Sequence, residues 1–362
     1  MSNYNRRDFI RTSMIGGAAV ICFSREKIIT PLLTPGSPTH PAQVSLTTGN
    51  NRADLAFRAL QPFSKQIKHA IGNRLIVIKP NNVLIYVPLA CTHVDTLEGI
   101  LEFLKSINKL HNVIIGESSA SGSTLEGFDN YGYYNLVSKY NVKLVDLDKE
   151  PFDTLYVLDE KTLSPIPVKI SRIIYSNDSY VISSARMKTH TSVVATLSLK
   201  NIVFGAPIKD VGFSLYSEDK KFSPKAVESI KGTVSYKRLL HGGGVHGVNY
   251  NLYSLARQLH PHLALIDGYE GMEGNGPTLG TPIDHRVCVV SQDWLAADRV
   301  GIELMGIDFA KVGYLTYCAQ TGLGVADLNK IEIIGENLAD HKKSYKLPDN
   351  IDYIEKWMTP IS

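Results

Sequence analysis

The run from Asp267 to Pro277 (DGYEGMEGNGP) sets three carboxylates and a carboxamide among four glycines. The oxygen donors Asp267, Glu270, Glu273 and Asn275 suit a hard cation such as magnesium or calcium, and a divalent metal ion is the candidate cofactor. The run holds no Lys or Arg to neutralise a phosphate, and it lacks the Gly-Lys-Ser/Thr ending of a phosphate-binding loop. Its spacing is not that of a calcium-binding EF loop, which leaves a tight multiple turn with solvated acids as the competing reading.

A second constellation is Lys188-Thr189-His190, followed ten residues on by Ser198-Leu199-Lys200-Asn201. Lys188 and Lys200 have the chemistry to hold an anionic ligand, or to act as bases if burial lowers their pKa. His190 suits general acid–base work or nitrogen ligation of a transition metal; a merely hydrogen-bonded histidine is the plainer alternative. Lys188, His190 and Lys200 are therefore the catalytic candidates. A third set is Lys79-Pro80-Asn81 with Glu117-Ser118-Ser119. Lys79, Asn81, Glu117, Ser118 and Asn201 are the candidate ligand-binding residues. His241 and His246 bracket three glycines, a pair without fixed geometry that reads most simply as a hinge. There is no Gly-x-Ser-x-Gly elbow, and no Gly-x-Gly-x-x-Gly follows a strand.

The elements that position these residues alternate between apolar β-branched runs and helical patterns. Arg74–Pro80, Asn112–Glu117 and Val142–Leu147 read as strands, with an amphipathic helix over Asp95–Ile107 and partial helix over Leu125–Tyr140. The stretch 155–174, punctuated by Pro165 and Pro167, reads as short antiparallel or peripheral strands. Ser179–Ser184, Leu263–Asp267, Arg286–Ser291 and Lys330–Ile334 are further strands, and the acidic glycine-rich run reads as the loop that leaves the strand at Asp267. Helices are expected over Asn251–Leu259 and Trp294–Met305, with Asp293 as N-cap of the latter. Asp298 is assigned to the start of that same helix, where negative charge is favoured. The polar stretch 205–247 reads as a lid or insertion. The fold class is α/β, a mainly parallel sheet with flanking helices and a mixed α+β insertion. In such a sheet Lys79 and Glu117 share one edge, and the other constellations are expected to converge there.

At the N-terminus, Asn5-Arg6-Arg7-Asp8-Phe9-Ile10-Arg11 precedes an apolar run from Met14 to Phe23. This is the layout of a twin-arginine signal, so residues 1–43 are expected to be a signal peptide and linker, and the protein to be periplasmic or otherwise exported. The remainder, 44–362, reads as one large domain, or as two tightly packed lobes of about 44–180 and 181–335. The whole chain carries a formal charge of +3, and 33 charges of each sign remain after residue 43. That balance argues against nucleic acid or anionic membrane as a partner, and no stable membrane span is expected after signal removal. Beyond residue 43 the cysteines are Cys91, Cys288 and Cys318, so no iron–sulfur cluster is expected from this chain alone.

The ordered motifs Ile78-Lys79-Pro80-Asn81, Gly116-Glu117-Ser118-Ser119, Met187-Lys188-Thr189-His190, Thr196–Asn201, Asp267–Pro277 and Ser291–Asp298 resemble the domain-of-unknown-function 362 family. The resemblance runs from about Leu75 to Gly335. It implies a fold family and no settled reaction; relatives are often exported by twin-arginine signals, and some are fused to ferredoxin-like modules absent here. The expectation is an exported protein with a polar, metal-assisted site acting on an acidic small molecule or cofactor, with redox, isomerase and hydrolase chemistry all compatible. The alternative is a non-catalytic cofactor-binding or maturation protein serving a redox partner. Expected partners are a small-molecule ligand and, during export, the twin-arginine translocase.

Overall fold

In the computed structural model, which describes residues 41–210 and 235–360, β1 (Ala42–Thr48) leads into helices α1 (Arg52–Leu60) and α2 (Ser64–Ile71). A β-α-β-α-α-β run follows: β2 (Leu75–Lys79), α3 (Val94–Ser106), β3 (Val113–Glu117), α4 (Thr124–Asn130), α5 (Tyr134–Tyr140) and β4 (Lys143–Asp146). β5 (Phe152–Leu158) and β6 (Pro165–Ser171) form their own antiparallel pair. The long strand β7 (Ser179–His190) turns back through β8 (Val194–Thr196) into helix α6 (Ser198–Gly205). After a short helix over Tyr236–Leu239 come α7 (Val245–Ala256), β9 (Leu263–Glu273), β10 (Thr281–Ser291), α8 (Trp294–Leu304), α9 (Gly313–Gln320) and β11 (Ile331–Gly335).

The main sheet has the order β11-β1-β10-β9-β7-β2-β3-β4, with β8 paired to β7. The strands β9-β7-β2-β3-β4 are mutually parallel, and β10 joins them antiparallel beside β9. Successive strand residues face opposite sides, so the uninterrupted apolar runs feed two cores. Ile76, Ile78, Val113 and Ile115 pack with α1, α2 and α3 through Leu55, Ile67, Leu97 and Leu101. Val77, Val181, Ile266 and Val289 face the other way, against Leu199, Leu252, Val300 and Leu315 of α6 to α9. Helices thus cover both faces, the arrangement that a mostly parallel sheet requires.

The expected signal peptide lies outside the described residues except at its end, where Ala42 and Gln43 already belong to β1. β1 pairs parallel with β11 and antiparallel with β10, so this edge of the sheet is built from both ends of the described chain. Helices α1 and α2, unread in the sequence, close the α3 side of the sheet. β7 spans residue 180 and joins β2 on one side to β9 on the other, and the described residues form one compact unit. Much of the expected insertion, 211–234, lies outside the described residues.

The acidic run is a strand through Glu273 and not a loop from Asp267. Two of its glycines are needed where neighbouring atoms approach it closely. A Cβ on Gly271 would lie 2.2 Å from the Tyr345 hydroxyl, and one on Gly276 would lie 2.1 Å from the Thr189 carbonyl oxygen. Close approach, and not a turn, is the reason for these two glycines.

Candidate functional site

The carboxyl ends of β2, β3 and β7 and the first turn of α6 bring most of the candidate residues together. Lys79, at the end of β2, pairs with Glu117, at the end of β3, at 2.5 Å, both fully buried. Glu117 also accepts the backbone N–H groups of Asn82 and Ser118, each at 2.8 Å. The carboxylate therefore fixes the loop that leaves β2 as well as the lysine. Asn81 donates from Nδ2 to Asn201 Oδ1 (2.9 Å) and accepts from Lys188 Nζ (2.6 Å). Asn201 in turn donates to the Lys79 carbonyl and to Ser183 Oγ. The Ser118 hydroxyl donates to Asp148 at 2.5 Å, and Asp148 is ion-paired with Lys209.

Helix α6 holds Lys200 and Asn201 in this network because its N-terminus is tied from outside. Asp298, fully buried on α8, accepts from the Ser198 N–H (2.8 Å), the Ser198 hydroxyl (2.5 Å) and the Leu199 N–H (3.1 Å). It thus caps α6, not the start of its own helix; Asp293 does cap α8, accepting from Leu295 and Ala296. At the far end of α6, Gly205 makes room for Lys79, since a Cβ there would lie 2.5 Å from Lys79 Nζ.

Beside this network lies a cavity of about 350 Å³. Lys79, Asn81, Glu117, Ser118, Lys200 and Asn201 reach its wall, as does His190 at the end of β7. Lys188 stands behind the wall, donating to Asn81 Oδ1 and to the Ala90 carbonyl, and so positions Asn81. The sequence reading did not select Lys237 and Arg238, which complete the wall with His241. Lys237 donates to the carbonyls of Phe204, Gly205 and Pro207. Four residues of the wall each carry a buried polar atom without a hydrogen-bond partner among the described residues: Asn82 Nδ2, Ser121 Oγ, Thr196 Oγ1 and Ser235 Oγ.

Burial dominates the protonation states. It brings Lys188 down to about 7, only partly opposed by Cys91, and Lys237 down to about 7 against the pull of Asp148 and Glu117. Burial, reinforced by Lys188, holds Lys200 well below the ordinary lysine range. Burial and then the Lys200 charge depress both His190, to well below its usual value, and His241, to about 4. Burial lowers Lys79 as well, offset by Glu117. The cavity thus presents uncharged imidazoles and amines that ionise readily, a set suited to receiving an anion and accepting a proton.

The four oxygen donors expected to hold a metal are not brought together with one another or with the cavity. Asp267 faces α1 and α3, accepting from Thr96 Oγ1 (2.7 Å) and lying 3.4 Å from Arg52. Glu270 lies 3.5 Å from Arg186. Glu273 accepts from the Lys346 backbone, and Asn275 bonds to Asp349. Among the described residues, no group of three or more His, Cys, Asp or Glu side chains is arranged to hold a metal ion. The run itself lacks a cation, but folding supplies two arginines from elsewhere in the chain. His246 is likewise separate from His241, facing Glu160 and the Thr359 carbonyl. Cys91, Cys288 and Cys318 are all buried free thiols.

Comparison with known proteins places this geometry in a family. The family model described as Domain of unknown function (DUF362) matches residues 76–303. The thylakoid-associated protein sll1697 of Synechocystis sp. (strain ATCC 27184 / PCC 6803 / Kazusa) is 24% identical over 214 residues, covering 58% of this chain and 56% of that protein. The chain therefore spans little more than half the length of that relative. No solved structure matches the chain. Among the described residues, no helix is long and apolar enough to cross a membrane.

Proposed function

The chain belongs to the DUF362 family, and we propose that in this member the cavity between β2, β3, β7 and α6 binds a small acidic molecule and takes up a proton with it. The observation that carries this reading is the set of four buried, unpartnered polar atoms carried by wall residues, Asn82 Nδ2, Ser121 Oγ, Thr196 Oγ1 and Ser235 Oγ. Buried polar groups are nearly always paired, and four of the twelve unpaired ones among the described residues belong to residues of this one cavity, which fits a polar ligand. Arg238, exposed at the wall, has no ion-pair partner among the described residues and supplies a guanidinium fork for a carboxylate or phosphate. Nδ1 of the uncharged His190 accepts from the Ser192 N–H at 3.0 Å, so Nε2 carries the ring proton and is a hydrogen-bond donor for the bound acid. The reading uses the chain's own cations and imidazoles and routes no step through a metal. Export as a folded domain, suggested by Arg6 and Arg7, belongs to the same proposal.

Thermal unfolding of the purified protein with acetate, malonate, succinate, phosphate and sulfate tests the binding claim. At least one of these anions is expected to raise the midpoint in a concentration-dependent way. Arg238→Ala is expected to weaken that ligand by about tenfold or more, since hydrogen bonds to a charged group contribute about 1.5–3 kcal/mol. An absence of stabilisation by every anion, or equal stabilisation of wild type and Arg238→Ala, would overturn the proposal.

A further inference from the structure

We propose that Lys200 is a Schiff-base-forming lysine, and that the acid bound in the cavity is a small oxo acid whose carbonyl carbon it attacks. This step rests on the acid-binding reading and adds a covalent chemistry to it. The lysines of the site have different partners. Lys79 is held by Glu117 at 2.5 Å, Lys188 by Asn81 and Ala90, and Lys237 by three carbonyls. Lys200 alone among these four has neither a hydrogen-bond acceptor nor a carboxylate partner among the described residues, although it is buried and reaches the cavity wall.

Its surroundings favour the free amine. Lys200 is the third residue of α6, so the positive end of the helix and the Lys188 ammonium both oppose a charge on it. The Phe204 ring, 4.3 Å from Nζ, is its one favourable cation contact. A ring face stabilises an ammonium far less than a buried carboxylate does. An unprotonated amine directed at a bound acid is a nucleophile without further activation.

The step balances within the cavity. The Nζ lone pair forms a bond to the carbonyl carbon, and the carbonyl π pair moves to oxygen, which takes a proton to give a carbinolamine. Expulsion of water with a second proton leaves the C=N bond, whose protonated form carries the positive charge on nitrogen. Water reverses the imine and returns the free lysine.

The experiment treats the full-length protein with glyoxylate, pyruvate or 2-oxoglutarate in the presence of cyanoborohydride, then maps the adducts by peptide mass spectrometry. The proposal expects at least one acid to alkylate Lys200 about tenfold more than any exposed lysine. It also expects malonate to suppress that adduct and Lys200→Arg to abolish it. Anion stabilisation without preferential labelling of Lys200 would overturn the Schiff base and leave the acid-binding reading standing. Labelling of Lys200 that no carboxylate suppresses would support its reactivity and overturn the acid-binding reading. Neither stabilisation nor labelling would overturn both.

Discussion

At the residue scale, lysines close together in one site are given different properties by their partners. Lys79 retains a carboxylate partner, whereas Lys188 and Lys237 meet only neutral acceptors and are drawn down to about 7. The Lys79–Glu117 pair is fully buried, so removing one partner strands the other charge away from water. Glu117→Leu is expected to destabilise the protein by about 3–5 kcal/mol, and Lys79→Met by a similar amount. The double variant should recover a substantial part of either loss, as denaturant titration of all four proteins would reveal. Additive losses would show that the pair acts through the loop bonds to Asn82 and Ser118 alone.

At the scale of elements, the site depends on α6, and α6 depends on a carboxylate 100 residues further along the chain. Burial raises the Asp298 carboxyl to about 7, despite the three donors it accepts. An unfolded aspartate titrates near 4, so between about pH 4 and 7 the folded state holds the extra proton. Stability from this group therefore falls as pH rises through that window and is flat above it. Asp298→Asn is expected to flatten the pH dependence of the unfolding midpoint between pH 4 and 7. Asp298→Ala should cost about 1–3 kcal/mol by leaving Ser198 and Leu199 uncapped; an unchanged pH profile in the Asn variant would rule out this titration. The same helix explains why part of the site is hidden in the sequence. Lys79, Asn81 and Glu117 lie at or just after strand ends that the apolar runs mark directly, whereas Lys200 and Asn201 stand out by residue type alone and the helix that carries them is not read from the sequence. Lys237 and Arg238 sit in a polar stretch without periodicity, and nothing local to Asp298 points to a helix it does not belong to. The acidic run misleads for the opposite reason: its carboxylates look unneutralised until folding brings Arg52 and Arg186 beside them.

At the scale of the whole molecule, the α/β class and most central strands follow from β-branched runs such as Leu75-Ile76-Val77-Ile78, which suit only a strand covered on both faces. The extension of β9 through the glycines is set by tertiary neighbours, Met187 and Tyr345 among them, that no local pattern reveals. The resulting sheet gathers the ends of β2, β3 and β7 around a cavity whose imidazoles are uncharged and whose Lys237 titrates at about 7. The central claim is that this cavity receives an acid and answers with a proton. The most direct measurement is calorimetric titration at pH 8 with the most stabilising carboxylate, repeated in buffers of different ionisation enthalpy. Lys188 and Lys237 titrate at about 7, and a bound anion raises them, so binding should draw up to about one proton from the buffer. Binding heats that do not depend on the buffer, or no binding at all, would contradict the account.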